Sequence, residues 1–244
     1  SSIKHQKAVS DARRGQLFTK LSREITVAVR NGGPNPEANP ALRLAIQRAR
    51  DNSMPLENIE RAIKRGTGAV EGASLTEMVF EGYGPGGAAI LVQALSDNRN
   101  RTLQAVRHVF TRGGGSLGES GSVAWQFESK GVITVKADGR DTEELELQAI
   151  DAGAEDVTTD GNYVTIYTKP GDLESVRNTL EKQGVPITSA ELAMVPKTTL
   201  ELEEKHALQT LRLLDKLEEL DEVRNVSSNV DFSDEILRKY QEQS

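Results

Sequence analysis

The sequence predicts an α+β, multidomain protein in which an N-terminal all-helical domain precedes two α+β domains with ferredoxin-like βαβ units. Apolar residues recur three and four apart through the first 65 residues, the period of amphipathic helices. Past Ser74 the pattern changes to short strand-like runs that alternate with helix-period segments. At 244 residues the chain also exceeds the usual size of a single hydrophobic core.

The segment Ile3 to Arg14 is basic through Lys4, Lys7, Arg13 and Arg14 and has too few apolar positions to pack strongly, so it is expected to be a mobile arm. From Gln16 to Arg30, Leu17, Phe18, Leu21, Ile25, Ala28 and Val29 form one apolar stripe, with Lys20, Arg23 and Arg30 mostly off it. Asn31-Gly32-Gly33-Pro34 stops this helix, because Gly accepts a left-handed cap and Pro cannot continue the ladder. Asn39-Pro40 opens the next helix with a capping side chain and Pro at the first helical position. That helix buries Leu42, Ala45, Ile46 and Ala49 and turns out Arg43, Gln47 and Arg50. A third helix opens at Ser53 or Met54 before Pro55 and uses Leu56, Ile59 and Ile63, with Arg61, Lys64 and Arg65 crowding its last turn. Gly66 to Gly72 has no period and reads as a linker.

Beyond the linker, Glu77 to Glu81 and Ala88 to Leu95 read as strands across the turn Gly82-Tyr83-Gly84-Pro85-Gly86-Gly87. Arg101 to Arg112 reads as a helix and Ser122 to Glu128 as a strand. A second set follows: strands at Gly131 to Lys136, Tyr163 to Thr168 and Thr188 to Val195, and helices at Asp141 to Ala152 and Asp172 to Gln183. Strand, helix and strand then appear at Thr198 to Leu202, Glu203 to Leu220 and Val223 to Asn229. These last pieces cannot easily make a core alone and would complete a sheet with the middle unit. The expected division is therefore a basic helical domain over 1–70, a discontinuous α+β domain over 76–129 plus 197–232, and an inserted α+β domain over 130–196. Three consecutive domains are the alternative.

Charge is divided as sharply as the pattern. Residues 1–70 carry 13 Lys+Arg against 6 Asp+Glu, a net of +7, whereas residues 71–244 carry 17 against 31, a net of −14. Clustered cations gain free energy by releasing counterions from a phosphate backbone, so the head is expected to meet a polyanion that the body repels. The ordinary alternative is a solvated helical surface. The expected phosphate contacts are Lys4, Lys7, Arg13, Arg14, Lys20 and Arg23, with Arg43, Arg50, Arg61, Lys64 and Arg65 as a second row. Arg43, Gln47 and Arg50 have side chains and spacing suited to reading bases, but any exposed basic helix looks the same, and phosphate contact is the preferred mode. Only 4% of residues are aromatic, which disfavours a base-stacking platform.

Catalytic constellations do not emerge. His5, His108 and His206 stand apart without metal-ligand spacing, there are no cysteines, and neither a nucleophile elbow nor a Walker loop is present. Glu203/Glu204 and Glu218/Glu219 lie on a charged helix and read as solvated. No enzyme activity, metal, cofactor or small-molecule substrate is expected. No apolar run approaches a membrane span and none follows the basic start as a signal peptide requires, so the expected location is cytoplasmic, with no membrane partner. The Gly-rich segments 82–87 and 113–118 do not run from a strand into a helix as phosphate loops do, and tight turns are preferred. In Asp97-Asn98-Arg99-Asn100-Arg101-Thr102, Arg99 and Arg101 form a possible anion site; an N-cap with local salt bridges to Asp97 and Glu81 is the equal alternative.

Five strings in order, Ile3-Lys4-His5-Gln6-Lys7-Ala8, Asp11 to Lys20, Asn58 to Gly66, Glu81 to Gly87 and Asp97 to Thr102, resemble the YebC family, and the match continues through Gly121-Ser122-Val123-Ala124 to the C-terminal acidic helix. That family includes bacterial proteins labelled as probable transcriptional regulators and the mitochondrial translational activator of cytochrome oxidase. Gln6 and Gln16 depart from it, standing where many members carry Arg or Lys. The resemblance implies a helical head with two α+β domains, no cofactor, a cytoplasmic location and a role in gene expression. The expected function is a nucleic-acid-binding regulator of gene expression, a DNA-binding transcriptional regulator acting through the basic N-terminal domain. The alternative is a ribosome-associated, RNA-binding translation activator or elongation-assisting factor, with ribosomal RNA as partner.

Overall fold

The computed structural model describes residues 11–68 and 74–243, for 11–13 the backbone alone. By contact density the chain forms two compact units, one of Ser1–Glu24, Ala69–Glu128 and Val195–Ser244, the other of Ile25–Gly68 and Ser129–Met194. The fold is α+β, a helical N-terminal region followed by two four-stranded sheets with their helices.

Helix α1 (Asp11–Gly32) contributes to both units. It ends where the sequence places the stop: Gly33 takes a φ of +88° and donates its N–H to the Val29 carbonyl at 2.7 Å. Helix α2 (Pro40–Asp51) begins at the Asn39 cap, whose Oδ1 accepts from Leu42 N–H at 3.1 Å. The Asn39 Nδ2 donates to the carbonyls of Ala28 (2.8 Å) and Gly33 (2.9 Å), so one buried amide fixes both the end of α1 and the start of α2. Helix α3 (Leu56–Thr67) includes Gly66, which the sequence assigned to the linker. A Cβ on Gly66 would stand 2.5 Å from Val29 Cβ and 2.9 Å from the Thr26 carbonyl. Glycine therefore serves close helix–helix approach here, which outweighs its low helix propensity.

In the first unit, β1 (Thr76–Tyr83) and β2 (Ala89–Ser96) pair antiparallel from Thr76↔Ser96 to Tyr83↔Ala89. Helix α4 (Arg99–Arg112) and β3 (Ser116–Leu117) follow; later α7 (Glu204–Glu218) leads into β8 (Val223–Ser228), giving the order β3-β1-β2-β8. Alternate residues Met78 and Phe80 of β1 and Ile90, Val92 and Ala94 of β2 pack with Val106 and Phe110 of α4 and Leu213 and Leu217 of α7. Helix α8 (Asp234–Glu242), capped by Ser233, adds Leu237 and Tyr240 to a second cluster with Leu208 and Leu211. Helix α8 lies outside the expected elements, and its signal in the sequence is Ser233 before Asp234-Glu235-Ile236-Leu237, a capping signature.

In the second unit, β4 (Phe127–Lys136), α5 (Thr142–Asp151), β5 (Asp156–Asp160), β6 (Tyr163–Thr168), α6 (Leu173–Lys182) and β7 (Ile187–Pro196) make a βαββαβ run with sheet order β5-β6-β4-β7. This is the ferredoxin-like arrangement that the fold class anticipated. Ile133, Val135, Val164 and Ile166 of the sheet meet Leu145, Ala149, Val176 and Leu180 of the helices. Strand β5 was not foreseen because its exposed residues lack an apolar alternation. The expected strand Thr198 to Leu202 is reduced to one parallel bridge, Leu200↔Val230.

Candidate nucleic-acid interface

The cations expected to bind phosphate divide by what already holds them. Lys4 and Lys7 lie outside the described residues, as does the Arg13 side chain. Arg14 is exposed. Further along α1, Gln16, Lys20 and Arg23 follow one helix face and converge on the end of α7 in the same unit. Gln16 Nε2 donates to the Glu219 carbonyl at 2.5 Å, Lys20 Nζ to the Glu218 carbonyl, and Arg23 Nη1 to the Asp221 carbonyl at 2.8 Å. A helix C-terminus leaves carbonyls without intrahelical partners; Lys20 and Gln16 satisfy those of Glu218 and Glu219, and Arg23 holds the turn that follows. Lys20 and Arg23 thus have structural employment.

Helix α2 behaves similarly within the second unit. Arg43 clamps Glu174 of α6 through Nε (2.7 Å) and Nη2 (3.0 Å) and also donates to the carbonyls of Pro36 and Glu37. Its hydrogen bond to Glu174 holds the guanidinium above its ordinary pKa. Gln47 donates to Asp51 at 3.1 Å, and Asp51 in turn receives two bonds of 2.8 Å from Arg177, which also pairs with Glu181. Of the row that the sequence offered for base reading, Arg50 alone is exposed. Nothing in the sequence pattern distinguished these cases, because Glu174 and Arg177 are more than a hundred residues away.

Helix α3 keeps its cations outward. Arg61 pairs with Glu57 at 2.6 Å in a solvent-exposed i,i+4 bridge, worth little at this exposure. Lys64 and Arg65 are exposed, as is Arg30 at the end of α1, and these three make no ion pair among the described residues. The close contact of Val29 with Gly66 brings the ends of the two helices together, and Arg30 and Arg65 flank it in sequence. Arg30 was outside the expected set; its position off the apolar stripe was the available signal.

The pair Arg99 and Arg101 has partners of its own. Arg99 lies over the Phe80 ring at 5.5 Å from the centroid, and Arg101 pairs with Asp97 (2.6 Å) and Glu222 (3.5 Å) while Asn98 Oδ1 caps its N–H. Glu81, expected as a local salt-bridge partner, instead accepts from the backbone N–H groups of Gly121 (2.6 Å), Val123 (3.0 Å) and Ala124 (2.6 Å). Burial pushes its carboxyl pKa up, but those three amides outweigh burial and hold it below the usual carboxylate range. This capture also corrects the strand expected at Ser122 to Glu128: the amides a ladder would use go to Glu81, and the strand begins only at Phe127. The Gly-rich segments are turns, with Gly84, Gly87, Gly113, Gly114 and Gly115 donating N–H groups to nearby carbonyls.

No helix among the described residues is long and apolar enough to cross a membrane, and no group of three metal-ligating residues occurs among them. Family models match the chain twice: the TACO1/YebC protein N-terminal domain over residues 1–69, and the TACO1/YebC second and third domain over 75–230. A "Probable transcriptional regulatory protein" of Dehalococcoides mccartyi (strain CBDB1) is 61% identical over 244 residues, covering 100% of this chain and 97% of its own. One of the same designation from Halothermothrix orenii is 52% identical, with 100% and 97% covered. The crystal structure of a conserved hypothetical protein from Aquifex aeolicus superimposes with a TM-score of 0.89 at 52% identity, covering 96% of this chain and 97% of that one. Matched by both domain models and by relatives along its whole length, the chain belongs to the TACO1/YebC family.

Proposed function

We propose that this protein is a nucleic-acid-binding regulator of gene expression that holds phosphate backbones through its basic N-terminal helices, with DNA as the target. The observation that carries the reading is the exposed set Arg30, Arg50, Lys64 and Arg65, which make no ion pair among the described residues, in a chain whose formal net charge is −7. Relatives designated probable transcriptional regulatory proteins support it. The protein acts by binding, without catalysis, in the cytoplasm; Lys4, Lys7, Arg13 and Arg14 extend the same grip. Lys20, Arg23 and Arg43 support the head by holding their own unit together, and contact is to phosphate and shape instead of base edges.

The test is a salt titration of binding to a labelled mixed-sequence DNA duplex. A log-log slope on the order of −5 is expected for about six neutralised phosphates, and Arg50→Glu with Lys64→Glu and Arg65→Glu should cut it by roughly half. A slope near zero for the unaltered protein refutes the proposal.

A second reading, a ribosome-associated RNA-binding translation factor, is favoured by one observation. The helix with base-reading side chains at suitable spacing turns Arg43 and Gln47 into protein contacts, leaving little for sequence readout. Crosslinking in extract followed by sequencing of the bound nucleic acid separates the two. Promoter reads support the first reading; ribosomal RNA reads, with co-sedimentation that survives DNase, support the second.

A further inference from the structure

Helix α4 has the opposite sign to the part of the chain that contains it. Between Arg99 and Arg112 there are four arginines, one histidine and no carboxylate, inside a segment, residues 71–244, of net charge −14. Its inner side is buried in its own unit, Val106 and Phe110 against the sheet and Thr102 through a 2.7 Å hydrogen bond to the Ser96 hydroxyl. The outward side is Asn100, Arg101, Gln104, Arg107, His108, Thr111 and Arg112, all exposed. At 100° per residue, Arg101, His108 and Arg112 fall along one edge of this face, Arg107 along the other, and the neutral hydrogen-bonding side chains Asn100, Gln104 and Thr111 between them. From Arg101 to Arg112 the helix advances about 17 Å, enough to follow several consecutive phosphates.

Helix stability does not account for this distribution. Arginines in a first turn oppose the macrodipole, and the first turn here has no acidic residue to offset them. Arg99 and Arg101 are accommodated by Phe80, Asp97 and Glu222, whereas Arg107 and Arg112 make no ion pair among the described residues. Only Arg112 stands where the dipole favours a cation.

We infer that the exposed face of α4 is a second phosphate-contact surface, through which the otherwise acidic body also holds nucleic acid. Arg107 and Arg112 bind phosphate oxygens, and Asn100, Gln104 and Thr111 offer hydrogen bonds to the sugar–phosphate backbone. Carboxylates are absent from this helix because they would repel the ligand. The inference rests on the nucleic-acid-binding reading above and locates the part of the body that would touch the ligand.

The experiment compares salt titrations for the full chain, Arg107→Glu with Arg112→Glu, and the head variant Arg50→Glu with Lys64→Glu and Arg65→Glu. Each is measured on a labelled mixed-sequence DNA duplex and on a labelled single-stranded RNA. The α4 variant is expected to lower the magnitude of the slope by about 2 on duplex DNA and to weaken binding tenfold or more at low salt. Arg107→Lys with Arg112→Lys should restore both, because a phosphate accepts either cation. Arg140→Glu with Lys182→Glu, reversing two exposed cations elsewhere with the same change in net charge, should leave the slope unchanged. If the α4 variant keeps the slope and affinity of the unaltered protein while the head variant loses them, the inference fails and the head reading stands. If the unaltered protein binds neither probe with salt-dependent affinity, both fail. An equal loss from the Arg140/Lys182 variant overturns the inference in favour of a general field effect.

Discussion

Replacing Glu81 by Gln tests how the turn at 118–124 is built. The carboxylate sits at 5% exposure and accepts three backbone N–H bonds, two on Oε1 and one on Oε2. Gln is nearly isosteric but offers one acceptor oxygen, so its amide nitrogen must face one of those N–H groups. The loss is one charge-assisted bond, a repulsive donor–donor contact and the weakening of the other two bonds, together about 2–3 kcal/mol. That corresponds to a fall in Tm of roughly 4–12 °C for the unit. The sign of the pH dependence follows from the depressed carboxyl. The stabilisation is fully present above the ordinary carboxylate pKa of about 4.3 and is lost as pH falls through the lower folded value. The gap between wild type and Glu81→Gln should therefore be constant near neutrality and close on acidification. Urea unfolding at a series of pH values measures this. Trp125, the single tryptophan, bonds the Ser122 carbonyl within the same loop and gives a local signal beside far-UV circular dichroism. A difference under about 0.5 kcal/mol at pH 7, or a gap unchanged well below the carboxylate range, would refute the reasoning.

Gly66→Ala should destabilise by about 1–3 kcal/mol, because the new methyl meets Val29 and the Thr26 carbonyl; a stabilised protein in thermal unfolding, as ordinary helix propensity would give, contradicts the close approach. Asp51→Ala should cost about 3 kcal/mol by leaving the buried Arg177 with Glu181 alone, whereas Asp51→Leu with Arg177→Met should recover most of it; equal losses in chemical denaturation would mean that packing, not charge, is at stake. We also propose that 1–70, 76–129 plus 197–232, and 130–196 behave as three domains. Native-state hydrogen exchange should then show the two pieces of the middle domain opening together; exchange of 197–232 in step with 130–196 would refute this.

The elements that the sequence made legible are those whose signals are local. Asn39-Pro40 announced a cap, Gly33-Pro34 a stop, and the apolar stripes of α1 and α2 the buried faces, because each depends on residues within a turn or two. Charge was legible as a balance, a basic head on an acidic body, since counting needs no coordinates. The fate of each individual charge was not. Arg43 looked as exposed as Arg50 until Glu174 was brought beside it, and Lys20 looked as available as Lys64 until the end of α7 supplied its carbonyls. Gly66 read as linker because the chain cannot show that Val29 lies against it. Glu81 and the amides of 121–124 are some 40 residues apart in sequence, and their bonding turned an expected strand into a loop. The sequence by itself determined most of the helices and strands, the caps at Asn39 and Gly33 and the sign of each segment, all set by near neighbours along the chain. Tertiary structure alone decided which cations are taken up by protein partners, because those partners lie far off in sequence and only folding brings them within a few ångströms.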